Sequence, residues 1–393
     1  MHRIWRMLRI ASRPATSGMK IGTRSDPKDP FDPRHPFSRS SLMLEALYRD
    51  AEDSSPAARN DNGCLCRSRH PFILATSSPF PVPGSRSPLT DLLLGIDLGG
   101  TSVKLGVCDA TGAPRARSSV ATEPERGSDD AIGRIAETAR ALIAQSGGAR
   151  ACGIGAPGEL DAARRRLVRA NHFPGWTNVA IADTLAASLG IPVALENDAN
   201  CAAWGELRAG VGRGARSLAC FTLGTGVGGG LVIDGELWTG ANGAAAAFGH
   251  IVVDPNGPPC RCGQYGCVEQ YASATAVATR YGRGSARDAF DAAARGEPDA
   301  VEVIDWSCDG LAAGVANVIH VVQPDMVVLG GGMAAAGNIM LERVRAGVAR
   351  RVRAAWLSAV RIECSTLGDD AGWIGAALWS ARMTESNEML QQP

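Results

Sequence analysis

Two apolar runs flank a glycine-rich turn in the stretch that decides the fold. Residues 92–107 read Leu-Leu-Leu-Gly-Ile-Asp-Leu-Gly-Gly-Thr-Ser-Val-Lys-Leu-Gly-Val. This pattern predicts a buried strand over residues 92–97 and a second over residues 103–107, joined by a hairpin turn. Glycines let backbone N–H groups approach an anion, Thr101 adds a hydroxyl, and Asp97 suits a hydrated Mg²⁺. Taken alone, a plain hairpin turn is an equally good interpretation.

The same design recurs later in the chain. Residues 217–223 are predicted as a strand, 224–230 as a glycine-rich turn and 231–233 as the return strand. Two such hairpins indicate duplicated halves that face one cleft, which suits a nucleotide held between two backbone phosphate cradles. A third cluster, Gly330-Gly331-Gly332, follows a strand predicted over residues 326–329, where a nucleoside would pack. None of the three matches the P-loop pattern, in which Gly-Lys-Ser/Thr ends the motif.

Strands and helices alternate between and after the hairpins, which is typical of an α/β protein. The predicted elements are helices 129–145, 179–189 and 197–208, strands 151–155 and 192–195, and C-terminal helices 300–321, 339–353 and 370–382.

The charge of the chain is uneven, although its 40 basic and 40 acidic side chains cancel. The first ninety of the 393 residues carry 14 Lys and Arg against 8 Asp and Glu, which leaves 26 against 32 for the rest. They also hold 11 of the 22 prolines but 4 of the 47 glycines. We therefore expect residues 1–90 to be a disordered Pro/Arg-rich leader, and the remainder an acidic segment with no nucleic-acid partner. No run approaches the roughly 18 apolar residues of a membrane helix, so no membrane is expected.

Three features of the leader stand out, and two of them have alternative interpretations. Its basic, apolar opening resembles an amphipathic targeting segment, although an unstructured leader is the simpler interpretation. Residues 41–53 are predicted as a short helix. Cys64, Cys66 and His70 lack a fourth ligand, so a chance grouping is favoured over a metal site. The patterned helices of a winged-helix DNA-binding domain are not predicted here.

Four metal-ligand side chains lie close together in the second half of the chain. They are His250, Cys260, Cys262 and Cys267. Three thiols and an imidazole suit a tetrahedral structural Zn²⁺, because the protein would fill all four positions. Disulfides are the alternative, but without a secretory signal we expect a cytoplasmic protein with reduced thiols. Six other cysteines in apolar surroundings are predicted to be core residues: Cys108, Cys152, Cys201, Cys220, Cys308 and Cys364.

An acid–base residue is predicted where a strand passes into a helix. In Glu196-Asn197-Asp198-Ala199-Asn200, Asp198 would stand at the helix N-terminus, where a capping carboxylate is the alternative role. Phosphoryl transfer needs a carboxylate that accepts the proton of the attacking hydroxyl. Residues 171–176 form a loop that either binds a polyol or is an ordinary turn.

Taken together, these motifs resemble the ROK family of sugar kinases and sugar-responsive repressors. The resemblance extends from about Leu92 to Arg382. It is carried by residues 97–101, 153–158, 171–176, 196–200, 223–250, the His250/Cys260/Cys262/Cys267 spacing and residues 368–372.

The resemblance implies an α/β, actin-like ATPase (ribonuclease H-like) duplicated two-domain fold with a cleft between the domains. It implies residues 91–209 plus 370–383 as the small N-terminal domain with sugar and catalytic residues, and 210–369 as the large domain with the zinc loop and nucleotide site. The implied activity is ATP-dependent phosphorylation of a hexose or N-acetylhexosamine at the 6-hydroxyl, glucokinase-like as the first expectation. A homodimer is the family expectation.

The site residues that the resemblance implies fall into four roles. Asp198 would be the general base. The sugar would be bound by Asn171, Asn197, His250 and Glu269. Mg-ATP would be bound by Asp97, Gly99, Gly100, Thr101, Thr225, Gly226, Gly331 and Gly332. Structural zinc would be held by His250, Cys260, Cys262 and Cys267, with the second ring nitrogen of His250 left for the sugar.

One departure from the family pattern bears on substrate binding. Where the family usually has Ala-Gly-Glu before Phe248-Gly249-His250, this chain has Ala245-Ala246-Ala247. The missing glutamate at Ala247 would have bonded sugar hydroxyls, and Ala246 adds a Cβ where the backbone is expected to need a positive φ. This departure makes a sugar-binding pseudokinase one alternative to the kinase. A repressor of the same family is another, and it would need an N-terminal DNA-binding domain.

Overall fold

The computed structural model describes residues 91–170 and 173–390, with side chains described to residue 384. The strands are β1 (Leu93–Leu98), β2 (Ser102–Cys108), β3 (Pro114–Ala121), β4 (Ala151–Ala156), β5 (Glu159–Leu160), β6 (Leu167–Arg169), β7 (Thr177–Val179), β8 (Val193–Asn197), β9 (Leu218–Leu223), β10 (Val227–Ile233), β11 (Glu236–Leu237), β12 (Met326–Gly330) and β13 (Arg361–Cys364). The α-helices are α1 (Ser128–Ser146), α2 (Ile181–Leu189), α3 (Asp198–Arg208), α4 (Glu269–Ala272), α5 (Ala274–Tyr281), α6 (Ala286–Ala294), α7 (Pro298–Val322), α8 (Asn338–Ala349), α9 (Ala354–Leu357) and α10 (Ala371–Leu390).

Two five-stranded sheets repeat one topology. The first has the order β3-β2-β1-β4-β8 and the second the order β11-β10-β9-β12-β13. In each sheet the first three strands form an antiparallel meander, and two later strands add in parallel on the other side of the leading strand. This duplication, predicted from the two glycine-rich hairpins, places both turns at corresponding ends of their sheets. A separate three-stranded sheet, β5-β6-β7, lies between β4 and α2 in the chain.

Helices α3 and α10 pack between the two sheets. α10 contacts β1 and β4 of the first sheet, and α3 contacts β9 and β10 of the second. The approach of α10 is direct: a Cβ on Gly95 would stand 1.8 Å from the carbonyl oxygen of Trp373, and one on Gly153 would stand 1.7 Å from that of Ala376. Glycine in β1 and β4 therefore lets the C-terminal helix lie on the sheet backbone. Trp204 and Trp373 are buried in the resulting core.

The local patterns explain why these elements form. β1 is apolar on both faces, as expected of a strand covered on both sides, and nearly all of it is buried. α1 buries Ile132, Ile135, Ala139 and Leu142, which share one face at helical spacing, and it ends at Gly147 in the left-handed conformation.

The second glycine-rich turn is shorter than its composition predicts. β10 already begins at Val227, so Gly228, Gly229 and Gly230 pair with β9 instead of forming the turn. A Cβ on Gly229 would lie 2.2 Å from the carbonyl oxygen of Ala246, so these glycines make room for close packing. The helix predicted from residue 179 begins at Ile181 instead, because Thr177–Val179 is strand β7.

The predictions for the leader, for membrane-spanning helices and for the core cysteines have separate outcomes. The leader, with its short helix at 41–53 and the Cys64, Cys66 and His70 group, lies outside the described residues. Within the described residues, no helix is long and apolar enough to cross a membrane. Of the cysteines predicted to be core residues, Cys364 is half-buried and the others are buried: Cys108, Cys152, Cys201, Cys220 and Cys308.

Candidate active site

The first glycine-rich turn joins β1 to β2 and is tied to the end of β3. The Thr122 hydroxyl donates to the carbonyl oxygen of Gly99 at 2.6 Å, and the Thr122 amide donates to that of Thr101 at 3.0 Å. Gly100 and Thr101 are exposed at the tip, and Asp97 precedes the turn in β1. The predicted phosphate residues therefore stand together on a braced, solvent-facing turn.

The second turn is held by the starts of α4 and α5. The Ala274 amide donates to the carbonyl oxygen of Gly224 at 2.8 Å, and the Thr275 hydroxyl donates to that of Thr225 at 2.7 Å. Glu269, predicted to bind the sugar, accepts the amide proton of Val227 through Oε2 at 3.0 Å and lies beside Gly226. Its carboxylate thus braces this turn.

The third glycine cluster begins beside the second turn. Gly330 at the end of β12 is paired in register with Thr222, two residues before Gly224. A Cβ on Gly332 would meet open space, so the backbone there borders a region that a ligand can enter.

The predicted base stands on the first turn of α3. Asn197 is the N-cap, and its Oδ1 accepts the amide protons of Ala199 at 3.0 Å and Asn200 at 3.2 Å. Asp198 follows as the first helical residue and accepts from the Ala199 amide at 2.8 Å. The side chain that caps the helix is therefore that of Asn197. A Cβ on Gly228 of β10 would lie 3.0 Å from that of Ala199, so the second hairpin packs on this turn.

Asp97 lies in a group of charged side chains near Asp198. Burial raises the pKa of Asp97 to about 7, and the negative charges of Asp198 and Asp369 add to the effect while Lys104 opposes it. The Lys104 ammonium lies 3.4 Å from Oδ1 of Asp369. A Cβ on Gly372 would stand 2.6 Å from Oδ2 of Asp97, so the first turn of α10 covers this carboxylate. Crowded carboxylates are the hard oxygen donors that Mg²⁺ prefers, so this group fits a hydrated Mg²⁺.

An ion pair that the sequence does not reveal lies close to the predicted base, Asp198. Glu196 is 2 % exposed and pairs with Arg164, whose Nη1 is 3.1 Å from Oε1 of Glu196. The signal in the sequence is a carboxylate at the end of an apolar strand, because a buried glutamate needs a partner. The identity of that partner depends on a contact between residues far apart in the chain.

The four predicted metal ligands are brought together. Their ligand atoms all lie within 4.8 Å of one another, with 3.6 Å between Sγ of Cys262 and Sγ of Cys267 and 3.7 Å between Sγ of Cys260 and Nδ1 of His250. Zinc–sulfur bonds of about 2.3 Å at tetrahedral angles separate two sulfurs by about 3.8 Å, so the donor set fits Zn²⁺. The three cysteines are free, which argues against the disulfide alternative.

The segment before His250 shows the expected strain. Ala246 has φ of 61°, the left-handed conformation that a glycine adopts more easily. Ala247 is exposed, and its carbonyl oxygen accepts the His250 amide proton at 2.9 Å. The prediction of a positive φ at Ala246 is confirmed. Asn171, the remaining predicted sugar ligand, lies outside the described residues.

The ROK family model matches residues 93–383, which is most of the chain and all of the elements that carry the site. The chain belongs to the ROK family. Glucokinase from Thermotoga maritima is 39% identical over 306 residues, covering 72% of this chain and 96% of the relative. N-acetylmannosamine kinase from Yersinia pestis is 31% identical over 292 residues, covering 73% and 97%.

A solved structure of a ROK family member shows the same fold. The ROK family glucokinase from Streptomyces griseus, in complex with glucose and AMPPNP, is 33% identical with a TM-score of 0.67 and covers 74% of this chain and 99% of that one. The predicted actin-like α/β fold is therefore confirmed, and the chain is a sugar kinase. The repressor alternative has less support, and the DNA-binding domain it requires would fall on residues outside those described.

Proposed function

We propose that this ROK kinase transfers the γ-phosphoryl group of ATP to the 6-hydroxyl of a hexose, with glucose as the first expectation. The observation that carries the proposal is the position of Asp198 on the first turn of α3. There it shares a charged group with Asp97, and the second glycine-rich hairpin packs against the same turn. Relatives that phosphorylate glucose and N-acetylmannosamine support a hexose or N-acetylhexosamine as acceptor.

The proposed catalytic step is a proton transfer coupled to phosphoryl transfer. The Asp198 carboxylate accepts the proton of the sugar hydroxyl. At the same time the oxygen of that hydroxyl forms a bond to the γ-phosphorus, and the bond between this phosphorus and the leaving ADP oxygen breaks. The hydroxyl must be held in line with the phosphate, and Asn197 is suited to this. Because its Oδ1 accepts the helix amides, its Nδ2 is the group left to donate to a sugar hydroxyl.

His250, Glu269 and Asn171 complete the proposed sugar site. Nδ1 of His250 faces Cys260, so Nε2 is the nitrogen directed to the sugar. Glu269 links this site to the nucleotide side, since its carboxylate also braces the second turn.

The nucleotide is proposed to lie along the glycine-rich segments. The turn at Gly99, Gly100 and Thr101 and the turn at Thr225 and Gly226 bind the phosphates, and Gly331 and Gly332 border the adenosine. Asp97 holds the hydrated Mg²⁺, which when bound neutralises charge on the phosphates. Closure of the two lobes, 91–209 with 370–383 and 210–369, excludes water as a competing acceptor.

Several further properties belong to the same proposal. His250, Cys260, Cys262 and Cys267 hold a structural Zn²⁺ that fixes the sugar-site loop. The net negative charge of residues 91–393 argues against a nucleic-acid partner. A cytoplasmic homodimer is proposed, and a mass measurement in solution tests the dimer.

A coupled ADP-release assay tests the proposal. Glucose, mannose, fructose, N-acetylglucosamine and N-acetylmannosamine are the acceptors, and turnover with at least one is expected. Asp198→Asn should abolish turnover, whereas Asp183→Asn, which removes an exposed carboxylate on α2, should leave it unchanged. Binding of a sugar without turnover of any would overturn the kinase assignment, and an active Asp198→Asn would overturn the assignment of the base.

A further inference from the structure

Glu196 is a buried carboxylate that organises the backbone on either side of Asp198. Its Oε1 accepts the amide proton of Asn197 at 2.8 Å and the side-chain amide of Asn200 at 2.9 Å. Asn197 in turn caps α3 through the amides of Ala199 and Asn200. The residue before Asp198 and the turn after it are therefore both tied to one carboxylate oxygen.

The charge on that oxygen is matched by Arg164. The side chain of Arg164 is 21% exposed and that of Glu196 is 2% exposed, so the pair is largely removed from solvent. A buried carboxylate that loses its cationic partner is strongly unfavourable, because neutral donors replace only part of its hydration. Arg164 is thus the partner that holds the Glu196 carboxylate in place.

Hydrogen bonds within the turn that carries Arg164 hold the backbone of this residue in place. Asp161 accepts the amide protons of Arg165 at 2.7 Å and Arg166 at 2.8 Å, which closes the turn between β5 and β6. Within this turn Arg164 adopts φ of 54°. Its Nη2 would lie 2.7 Å from a Cβ on Gly243, so the guanidinium also contacts the loop that leads to His250.

We propose that Arg164 is a positioning residue for the phosphoryl transfer. Through Glu196 it fixes Asn197 and the first turn of α3, and so the direction of the Asp198 carboxylate. The inference rests on the proposed role of Asp198 as the base. Loss of Arg164 releases the carboxylate of Glu196 and with it the turn, while the glycine-rich turns that bind the nucleotide keep their own hydrogen bonds.

The first experiment compares Arg164→Gln with Arg166→Gln in the full chain. Arg166 is the matched control, because it lies in the same turn but bonds to Asn178 instead of the base segment. Arg164→Gln should lower kcat about ten- to a hundred-fold, the range expected when a reacting group is displaced by about 1 Å, with the KM for ATP within about twofold. A kcat within twofold of the parent, or equal to that of Arg166→Gln, would overturn the proposal.

Two further variants separate positioning from bulk stability. Arg164→Lys should recover part of kcat, since it keeps the charge. The double variant Arg164→Gln/Glu196→Gln should be more active than Arg164→Gln alone, because it removes the unpaired charge and keeps an amide oxygen for Asn197 and Asn200. A double variant no more active than Arg164→Gln would overturn the proposal. Should Arg164→Gln fail to fold, Arg164→Lys and the double variant decide, and a kcat equal to that of the parent in both would overturn the proposal.

The outcome with Asp198→Asn distinguishes this inference from the proposed function. An inactive Asp198→Asn beside a fully active Arg164→Gln removes the positioning role and leaves the base assignment intact. An active Asp198→Asn removes the base assignment itself, and the positioning role with it.

Discussion

Asp97, near the end of β1, and Asp198, on the first turn of α3, repel each other. Burial first, and the negative charge of Asp198 next, raise the pKa of Asp97 to about 7 from an ordinary 3.8. Between these two pH values the folded protein binds more protons than the unfolded chain. The free energy of unfolding therefore falls as the pH rises from about 4 to about 7, and ionised Asp97 destabilises the fold at neutral pH.

Asp97→Asn should accordingly stabilise the protein while impairing it as a kinase. Without divalent cations at pH 7.5, we expect Tm to rise by about 2–5 °C, because a neutral amide removes the cost of a buried charge and the repulsion from Asp198. The gain should vanish at pH 4, where Asp97 is protonated in the parent, and turnover should fall with the loss of the proposed Mg²⁺ ligand. Thermal unfolding at both pH values measures the effect. Asp183→Asn serves as the exposed control, and an equal gain at both pH values would contradict the explanation.

Ala246→Gly should also stabilise the protein. Ala246 has φ of 61°, and this left-handed conformation costs an L-residue roughly 1–2 kcal/mol. Glycine avoids that cost but loses more backbone entropy on folding, which offsets about half of the gain. We expect Tm to rise by about 1–3 °C, measured by thermal unfolding. Ala247→Gly is the matched control, because φ there is −69° and glycine should give no gain. A lower Tm for Ala246→Gly would show that the conformation is not strained.

The elements that carry the phosphate turns are predictable from the sequence because their determinants are local. Apolar runs as short as residues 92–97 favour buried strands when turn residues bound them, and glycines between two such runs mark the turn. The metal cluster is equally local, since Cys260, Cys262 and Cys267 lie within eight residues and His250 lies just before them. Asn197 and Asp198 stand at a strand-to-helix junction that can be predicted from their own residue types.

The features of the fold and the site that the sequence does not predict depend on contacts between distant segments. Gly228, Gly229 and Gly230 look like a turn in sequence, yet they form a strand because α3 and Phe248 pack against their backbone. The pairing of Arg164 with Glu196 joins a basic run in a hairpin turn to a strand 32 residues away. Neither hydrophobic period nor residue type encodes which of three consecutive arginines turns inward.

Ala247→Glu should strengthen sugar binding. Ala247 is exposed next to the turn that carries His250, so a carboxylate there has access to sugar hydroxyls. A charge-assisted hydrogen bond of roughly 1.5–3 kcal/mol would lower the KM for the sugar about ten-fold or more, with the KM for ATP unchanged. Steady-state kinetics with Ala247→Gln as the uncharged control tests this. An unchanged or higher sugar KM would contradict a sugar-binding role for this position.

Removal of zinc should loosen the sugar site before the nucleotide site. We expect elemental mass spectrometry to find one zinc per chain. Cys262→Ser should lose this zinc. Cys364→Ser, whose thiol lies on β13 away from the cluster, should retain it. Because bound metal stabilises only the folded state, its loss should lower Tm by about 5–10 °C. Released from Cys260 and the metal, the ring of His250 loses its fixed orientation, so the sugar KM should rise more than the ATP KM. Equal zinc content in the two variants would mean that the cysteines near His250 do not hold the metal, and the rigidity of the sugar loop would then need another source.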